Sequence, residues 1–306
     1  MPSEAARAYA RAMPGLYTKA PPAQADAPRW TVWGAAYGGR STVDGNAAVG
    51  SHDLDSRAWG IAAGADYRLS TGTLLGFALA GGETKWATGG LGSGSSDVFQ
   101  AGLYGSHRYG PGFVSAALAY AWHDATTTRS VTIAGPETLE GRFHPQVFAA
   151  RLETGWRFGG PTLGFTPYAA GQVQALRMPG FSETATFGAG NFALSYADET
   201  VTVPRSELGA WADTRFLTGS GELILRGRAA WAHDFKTDRS LTPTFQALPG
   251  GSFVVTGATA DADLALVSAA AEWRIGPGMA VIAKVDGELG ETSRTLAGTG
   301  TLRVTW

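Results

Sequence analysis

The sequence predicts an all-β fold, a 12-stranded antiparallel transmembrane β-barrel. Three features predict it: about twelve strand-like runs, short turns that alternate with long polar links, and runs with one apolar and one ionic face. Bacterial single-chain barrels have an even number of strands, short turns at one end and longer loops at the other. Many runs have about 10–15 residues, which exceeds the usual globular strand and suits a tilted strand that crosses a membrane.

The strand-like runs begin at Trp30 and are separated by Gly, Pro and Ser, residues that commonly interrupt strands. The chain therefore divides into an N-terminal arm, 1–29, and a barrel domain, 30–306. The runs lie near 30–40, 56–69, 73–86, 97–109, 112–124, 143–159, 162–177, 201–217, 221–236, 263–275, 278–289 and 294–306.

Tight turns and longer polar links alternate strictly between these runs. The turns lie at 69–73, 109–112, 159–162, 217–221 and 275–278. The longer links lie at 41–55, 87–96, 125–142, 178–200 and 237–262. The alternation is typical of short periplasmic turns and long extracellular loops, so we expect both barrel termini on the periplasmic side.

Apolar and charged residues alternate along the runs with a period of two, as strand side chains alternate between faces. Near 223–235, Leu223 and Trp231 share one face, and Arg226 and Arg228 share the other. A soluble sandwich shows the same alternation, with its charges facing water. We interpret the apolar face as lipid-facing and the ionic face as the wall of a hydrated lumen.

Aromatic residues on the apolar face cluster at the ends of the runs. Trp and Tyr favour the membrane–water interface, because one edge forms hydrogen bonds while the ring stays in hydrocarbon. A soluble barrel with aromatic residues at its rims is the alternative. The predicted membrane-interface aromatics are Trp59, Tyr67, Trp86, Tyr109, Trp122, Phe158, Phe216, Trp231, Trp273 and Trp306.

The ionic faces carry both signs of charge, which predicts a wet wall to which an unfolded chain does not adhere by hydrophobic contact. A barrel of about twelve strands has room inside for more than its own side chains. The alternative is that these charges only brace the barrel from inside. The predicted pore-lining residues are Asp66, Arg68, Arg108, Arg151, Glu153, Arg157, Arg205, Glu207, Asp213, Arg215, Arg226, Arg228, Glu272, Arg274, Lys284, Asp286, Glu288 and Arg303.

Composition argues against several other classes of protein. A net charge of -2 gives no reason to expect nucleic acid as a partner, and the absence of Cys excludes disulfides and thiolate chemistry. No run approaches the roughly 20 apolar residues of a membrane helix. The first 30 or so residues lack the apolar region of a signal peptide, so we expect a mature or excised fragment.

The N-terminal arm, 1–29, is predicted to form a helix followed by an extended linker. Ser3 is a candidate N-cap, an Ala- and Arg-rich segment follows it, and a Met-Pro-Gly sequence at 13–15 ends the helix. Such a short helix is marginal in water, but in the lumen Arg7 and Arg11 would pair with acidic wall residues. We expect an α-helix that plugs the lumen; a disordered tail is the alternative.

Three His residues, at 52, 123 and 233, precede Asp, which suggests a catalytic dyad. Adjacent strand residues point to opposite faces, so His123 and Asp124, or His233 and Asp234, should not form hydrogen bonds between side chains. The segment 89–94 lacks the Lys and Ser/Thr of a phosphate loop and is interpreted as a flexible loop. We expect no catalysis, cofactor or metal; a barrel enzyme is the alternative.

The chain resembles the autotransporter β-domain family over nearly all of 30–306. The resemblance implies a twelve-stranded barrel in outer-membrane lipid, a helix in its pore and export of an N-terminal passenger. It also implies assembly by barrel-assembly machinery that reads the last strand, here Leu302, Val304 and Trp306. The segments that carry the resemblance together are 33–39 (WGAAYGG), 64–67 (GADY), 166–168 (TPY), 181–183 (FSE), 205–209 (RSELG), 230–235 (AWAHDF), 245–258 and 299–306 (TGTLRVTW).

One expected part of such a protein, the passenger, is missing from the sequence, so we expect an isolated translocator domain or a reading frame that begins late. Some relatives cleave their linker in the pore with an Asn, but Asn46 and Asn191 lie outside the arm, and we do not expect this cleavage. We expect a monomer. The alternative function is a passive porin-like channel, which would need an open pore and no arm.

Overall fold

The computed structural model describes residues 29–306, apart from 220, 238, 239, 249 and 277. The helix predicted in the N-terminal arm lies outside the described residues. Within them the chain forms nineteen strands and one short 3-10 helix, Ala47–Val49. The strands are β1 (Trp30–Val43), β2 (Leu54–Arg68), β3 (Thr73–Thr88), β4 (Gly92–Tyr109), β5 (Gly112–Val131), β6 (Glu137–Phe143), β7 (Gln146–Trp156), β8 (Phe158–Gly159), β9 (Leu163–Met178), β10 (Phe181–Phe187), β11 (Leu194–Tyr196), β12 (Glu199–Thr218), β13 (Gly221–Asp234), β14 (Ser240–Leu241), β15 (Thr244–Phe245), β16 (Val255–Thr256), β17 (Asp263–Ile275), β18 (Met279–Leu289) and β19 (Ser293–Thr305).

In the described part of the chain, twelve strand positions close into an antiparallel barrel, which confirms the predicted fold class and strand number. Strands β1 to β5 pair in sequence order, β5 pairs with β7, and β7 pairs with β9. The order continues through β12, β13, β17, β18 and β19, and β19 pairs with β1. Strands β6, β7 and β8 together occupy the one position between β5 and β9. The other short strands, β10, β11, β14, β15 and β16, belong to the loops.

The seam between the first and last strands is fully paired. The ladder between β1 and β19 runs without interruption from Thr31↔Thr305 to Val43↔Ser293. The main chains of Trp30 and Trp306 then exchange hydrogen bonds of 3.2 and 3.0 Å. Trp30 also pairs with Tyr67, next to the first tight turn. Both ends of the barrel therefore lie at the end that carries the tight turns, which we call the turn side.

Glycine permits the tight turns at this end. Gly110 and Gly276 have φ angles of 61° and 68°, in the left-handed region that a Cβ disfavours. Each is followed in the sequence by Pro, which has no N–H to donate to a ladder. Strand pairing therefore stops within one or two residues.

The opposite end, the loop side, contains more strand than the sequence analysis predicted. Strands β3 and β4 continue through the predicted loop 87–96, so that residues 89–91 alone connect them and the Gly-rich segment is a short turn. Strands β5 and β6 continue through most of 125–142 as a hairpin. These extensions are rich in Ser, Thr and Gly, so they carry no period-two hydrophobic signal from which a strand could be recognised.

Pro145 separates β6 from β7. Proline contributes no donor to the ladder, while its carbonyl oxygen accepts a hydrogen bond of 3.0 Å from the main chain of His123. Strand β7 continues the barrel wall, whereas β6 pairs with the extension of β5 and with β10. The predicted run 143–159 thus begins at a break, and it is interrupted again at Arg157.

Two long loops, 179–198 and 235–262, cover the loop-side mouth; we call them the roof. The roof and the inner walls line one cavity. Ala258 of the second loop packs against Val43 of β1 and Leu54 of β2. The roof therefore reaches from β13 and β17 to the strands on the far side of the seam.

Asp261 ties the roof to the hairpin between β18 and β19. Its carboxylate accepts hydrogen bonds from the main chain of Thr292 at 3.1 Å and of Ser293 at 2.9 Å. Partial burial alone would raise the pKa of Asp261, but the hydrogen bonds from Ser293 and Thr292 outweigh it and lower the pKa. The carboxylate is therefore ionised, and the contact intact, at neutral pH.

Side-chain exposure alternates along the barrel strands. Ile61, Leu103 and Leu118 face outward and are 59–65% exposed, whereas Ala78 and Glu272 face inward and are 1% exposed. Soluble monomers rarely expose such extensive apolar surface. The apolar exterior and the polar interior are the reverse of a soluble fold.

Trp86 corrects one of the predicted interface aromatics. It lies on the inward register of β3 with Ala78 and packs against the cluster that contains Ala258. Its ring covers Gly94 on β4. The prediction was wrong because 74–80 is apolar on both faces, so the period-two pattern does not fix which face of β3 meets lipid.

Gly76 of β3 lies under the ring of Tyr104 on β4, and a Cβ at this position would overlap the ring. We expect Gly76→Ala to lower the free energy of unfolding by about 1–3 kcal/mol, the usual cost of overpacking, as measured by guanidinium titration in lipid vesicles. Gly171→Ala is the matched control, because no neighbouring atom lies within 4 Å of a Cβ at 171. Equal effects of the two substitutions would contradict the close contact.

Candidate functional site

The candidate functional site is the barrel interior, where predicted pore-lining residues pair between strands. Arg151 of β7 donates to both carboxylate oxygens of Glu207 on β12, at 2.7 and 2.8 Å, although β9 lies between these strands. Arg151 also donates to Glu153 at 2.9 Å. The inclination of the strands brings their side chains together inside the barrel, and the pairs connect β7 with β12.

Arg205 is the most enclosed cation of this wall. Its guanidinium donates two hydrogen bonds of 2.6 Å to Asp234 and one of 3.0 Å to Glu288. All three side chains are at most 6% exposed. Buried charges are tolerated when their hydrogen bonds are satisfied in this way.

Arg228 continues the network toward β18. It lies 3.8 Å from Glu207 and 3.7 Å from Asp286, and its guanidinium carbon lies 5.3 Å from the ring centroid of Trp211. This distance permits a cation–π interaction. Lys284 pairs with the same Asp286 at 2.8 Å.

Glu272 of β17 has three arginine neighbours. Arg274 lies at 2.8 Å, Arg226 at 3.1 Å and Arg303 at 3.7 Å. Glu272 is almost fully buried, so its charge requires these partners. The cluster joins β13, β17 and β19.

The remaining predicted pore-lining residues of this wall also pair. Arg157 donates to both carboxylate oxygens of Asp213, one of them at 2.8 Å. Arg215 and Arg274 share Glu222, at 3.2 and 2.8 Å. Ion pairs therefore recur along the inner wall of β7 to β19.

Aromatic and small side chains face the lumen from the wall formed by β1 to β5. The Trp33 indole donates to the Tyr104 hydroxyl at 2.9 Å, and this hydroxyl donates to the carboxylate of Asp66. Ala78 and Ala80 pack beside them. A phenol thus donates directly to the one predicted pore-lining carboxylate of this wall.

Arg68 and Arg108 are the other predicted pore-lining residues of this wall. Both lie on the inward registers of β2 and β4, next to the tight turns, and are partly buried. Most of the ion pairs thus lie on β7 to β19, whereas the wall of β1 to β5 carries fewer charges and several inward rings and methyl groups.

The sequence analysis missed the inward-facing aromatic residues. A usable signal was present, because Gly64 lies against Trp33 and Gly76 lies against Tyr104. A ring that lies along the wall needs a neighbour without a Cβ, so glycines within strands mark such positions. The inward aromatics that were missed include Trp33, Tyr37, Tyr104, Phe113, Tyr168 and Trp211.

Arg129 of β5 anchors the roof at the loop side. It donates to both carboxylate oxygens of Glu183, at 3.1 and 2.6 Å, and to the carbonyl oxygen of Phe192 at 2.8 Å. Glu183 also accepts from the main chain of Leu194 at 3.0 Å. Burial and then the carboxylate of Glu183 raise the pKa of Tyr196 to about 12, so this phenol remains a donor at neutral pH.

The predicted interface aromatics other than Trp86 lie on the outer surface. Tyr67 packs against Trp30 with 4.8 Å between ring centroids. The other predicted interface aromatics are 37–60% exposed: Trp59, Tyr109, Trp122, Phe158, Phe216, Trp231, Trp273 and Trp306.

Two of these indoles have carboxylate partners on the neighbouring strand. Trp59 donates to Glu83 at 3.1 Å, and Trp231 donates to Asp263 at 2.9 Å. Such rings expose an apolar body while the N–H group reaches a charged acceptor. This combination suits the boundary between hydrocarbon and water.

The two aromatic zones are separated by about the height of a membrane's apolar band. Tyr109 pairs with Gly112 at the turn side, and Trp122 lies about ten residues further along β5, or about 33 Å at about 3.3 Å per residue. A strand tilt of about 40° reduces this length to about 25 Å along the barrel axis, which matches the usual band.

The sequences His123-Asp124 and His233-Asp234 do not form dyads, which confirms the expectation from strand geometry. His123 and Asp234 are buried, whereas their neighbours Asp124 and His233 are on the opposite face. His123 pairs with Ser96 at 3.1 Å. The Ser96 hydroxyl also donates to a main-chain carbonyl oxygen at 3.2 Å, so its proton is directed away from the imidazole.

Among the described residues, no helix has the length and hydropathy needed to cross a membrane. Across the same residues, no three His, Asp or Glu side chains are grouped in a way that would hold a metal ion.

A closed hydrogen-bonded wall, an apolar exterior between two aromatic zones and an ionic interior define a barrel that spans a membrane with its strands. Comparison with protein families identifies which kind of membrane barrel this is. The model of the autotransporter beta-domain family matches residues 32–286, and the chain belongs to this family. It is therefore an outer-membrane barrel of the translocator type.

Solved structures with similar folds agree with this assignment. The translocator domain of the autotransporter NalP from Neisseria meningitidis has a TM-score of 0.75 and 15% identity, with 92% of this chain and 90% of that chain covered. The beta domain of the Bordetella autotransporter BrkA has a TM-score of 0.65 and 17% identity, with 91% and 100% covered.

One curated relative is an extracellular serine protease from Serratia marcescens. It is 29% identical over 195 residues, which cover 58% of this chain and 18% of that protein. The match thus spans less than a fifth of the relative's length.

Removal of Arg205 would leave the carboxylates of Asp234 and Glu288 buried without their cation. We expect Arg205→Met to lower the free energy of unfolding by about 3–5 kcal/mol, as for other buried pairs that lose one partner. The control is Arg40→Met, whose pair with Asp55 is about half exposed and which should lose less than about 1 kcal/mol. Guanidinium titrations of both variants in lipid vesicles measure the difference; a loss for Arg205→Met no larger than the control's would refute it.

Proposed function

We propose that the barrel anchors and exports a passenger, a polypeptide joined before residue 1 that crosses the outer membrane. The observation that carries the proposal is the position of the first strand residue, Trp30, at the turn side of the barrel. Trp30 pairs with Trp306 at the turn side, at one mouth of the lumen. Any segment that precedes Trp30 is therefore delivered to that mouth, and the ionic wall offers an extended chain water and charge in place of apolar surface.

The turn side faces the periplasm in this proposal, and the roof faces the outside. Short periplasmic turns and longer outer loops are usual in outer-membrane barrels. This orientation places both barrel termini in the periplasm. In this orientation a passenger begins its crossing in the periplasm.

We infer that the chain has two parts: residues 1–29, a helix and linker that plug the lumen, and the barrel 30–306. The support is compositional and geometric. The arm is rich in Ala, and the inner wall of β2 and β3 presents Ala62, Ala78 and Ala80. Small side chains on both surfaces permit a close approach.

The last strand is proposed to be the assembly signal that the barrel-assembly machinery reads. Leu302 and Val304 of β19, and Trp306 directly after it, are 42–60% exposed on the outer surface. The edge of β19 stays free until it pairs with β1, so both its apolar face and its backbone are accessible before closure. After closure the sheet has no free edge for another copy, which supports a monomer in outer-membrane lipid.

A reporter domain fused before residue 1, behind a signal peptide, tests export. We expect external protease to release the reporter from intact cells and to leave the barrel in the outer membrane. The control is the same fusion without 293–306, which cannot close its seam and should keep the reporter protected. A reporter that stays in the periplasm on the complete barrel would favour the porin-like channel.

Deletion of 1–29 tests the plug. We expect the deletion to increase conductance in planar bilayers, because the arm would otherwise occupy the lumen. The roof is present in both proteins, so the difference reports on the arm alone. Unchanged conductance would contradict a plug formed by these residues.

A further inference from the structure

The outer surface carries a group of cations beside the seam, at the loop side of the barrel. Arg40 of β1 lies directly opposite Arg57 of β2, and Arg57 lies directly opposite Lys85 of β3. Arg294 of β19 is the diagonal neighbour of Arg40 across the seam, since Leu296 is the residue opposite Arg40. All four cations are exposed, and we call them the cationic patch.

The strand pairing places like charges beside one another in this patch. Residues directly opposite each other on neighbouring strands have Cβ atoms about 4.5–5.5 Å apart, and like charges there are destabilising. Other outward arginines of the loop side have neutral residues opposite, as Arg142 has Thr126 and Arg177 has Thr200. An anion in contact with the patch would relieve the repulsion between its strands.

Two carboxylates offset part of the charge of the patch. Asp55 lies 2.6 Å from Arg40, and Glu83 lies 2.9 Å from Lys85. Both pairs are on the surface, where an ion pair contributes little to stability. Glu83 also lies opposite Asp97 of β4, so the cationic surface ends at β3 and extends from there toward the seam.

Arg57 and Arg294 are the cations of the patch that lack a carboxylate partner. Among the described residues neither forms an ion pair, although both are exposed at the same side of the barrel. Asp44, just beyond β1, is the next carboxylate toward the loops, and it forms no ion pair with Arg294. Two guanidinium groups are therefore available to an anion.

The patch lies at the depth of lipid headgroups. The successive outward residues of β2 are Arg57, Trp59 and Ile61, so apolar surface begins within two positions of the cation. Trp59 belongs to the loop-side aromatic zone, and such rings favour the boundary between hydrocarbon and water. Lipid phosphate groups lie just outside the hydrocarbon, which is the level of the patch.

We propose that the cationic patch binds the phosphate group of an anionic lipid whose acyl chains lie along the outer face of β1 and β2. Guanidinium groups donate paired hydrogen bonds to phosphate oxygens. Arg57 and Arg294 lie two strand spacings apart, about 10 Å across the sheet, so their long side chains can converge on one phosphate. Arg40, between them, and Lys85 add positive charge.

The proposed lipid site is independent of the proposed export. It uses the outer surface of β19, β1, β2 and β3, and neither the lumen nor the arm nor a passenger. The orientation proposed above would place the lipid in the outer leaflet, but the binding itself follows from the charges and their depth in either orientation.

Titration of the full chain in nonionic detergent with phosphatidic acid tests the proposal, with native mass spectrometry counting the lipids bound to each barrel. EDTA is present, so that neighbouring carboxylates cannot bind a lipid through a divalent cation. We expect saturable binding of phosphatidic acid, about tenfold tighter than that of phosphatidylcholine, whose choline offsets the phosphate charge. Equal affinities for the two lipids would overturn the proposal.

A matched pair of double variants locates the site. Arg57→Gln with Arg294→Gln should weaken binding of phosphatidic acid about thirtyfold, equivalent to about 2 kcal/mol, because each basic residue near an anionic lipid contributes about half of this. Arg142→Gln with Arg177→Gln makes the same change of charge on β6 and β9 and should leave binding unchanged. Equal affinities of the two double variants would overturn the assignment to this patch.

Inorganic phosphate distinguishes a lipid site from a site for the free ion. We expect an equal concentration of inorganic phosphate to leave phosphatidic acid bound, because acyl chains add apolar contact with the outer face of the barrel. Displacement of the lipid by that concentration of phosphate would show that the patch binds the free ion and would overturn the lipid assignment.

Discussion

Hydrocarbon offers no partner for a backbone N–H or C=O group, and the rest of the structure follows from this constraint. A sheet in lipid must close, and the uninterrupted ladder between β1 and β19 closes it. Closure brings both ends of the barrel to one side. It also removes the need for a central apolar core, because the backbone is satisfied within the wall and the outward side chains meet lipid.

The interior then has to be stable without being filled by apolar packing. On β7 to β19 this stability comes from arginine–carboxylate pairs that join strands which are not always neighbours, as Arg151 and Glu207 do across β9. On β1 to β5 it comes from rings laid against glycines and alanines, as Tyr104 lies on Gly76. The two halves give the lumen one surface that attracts water and one that tolerates close approach by small side chains.

The sequence predicted the fold well because its main signal is one-dimensional. Alternation within a strand, turn residues between strands and the even strand number are all visible without knowing which residues meet, and the family model agrees with them. The same signal fails where both faces of a strand are apolar or both are polar. Trp86 was assigned to the wrong face because β3 is apolar on both sides near 74–80, and the Ser- and Thr-rich extensions of β4 and β5 were taken for loops.

Contacts between strands were harder to predict, because they depend on the inclination of the strands and on loop paths. The ionic residues were assigned to one face, but the partners of Arg205 or Glu272 could not be read from spacing. The contacts of the roof could not be predicted either, since they join segments far apart in the sequence, as Ala258 and Leu54 are. Residues 1–28 of the arm, where the helix is predicted, lie outside the described residues.

The second roof loop, 235–262, contacts both the first two strands and the last hairpin of the barrel. Asp261 holds the hairpin that leads into the last strand, while Ala258 rests on the first two strands, so both contacts exist together only after the seam has formed. Covering of the upper mouth by this loop is therefore coupled to closure of the barrel wall.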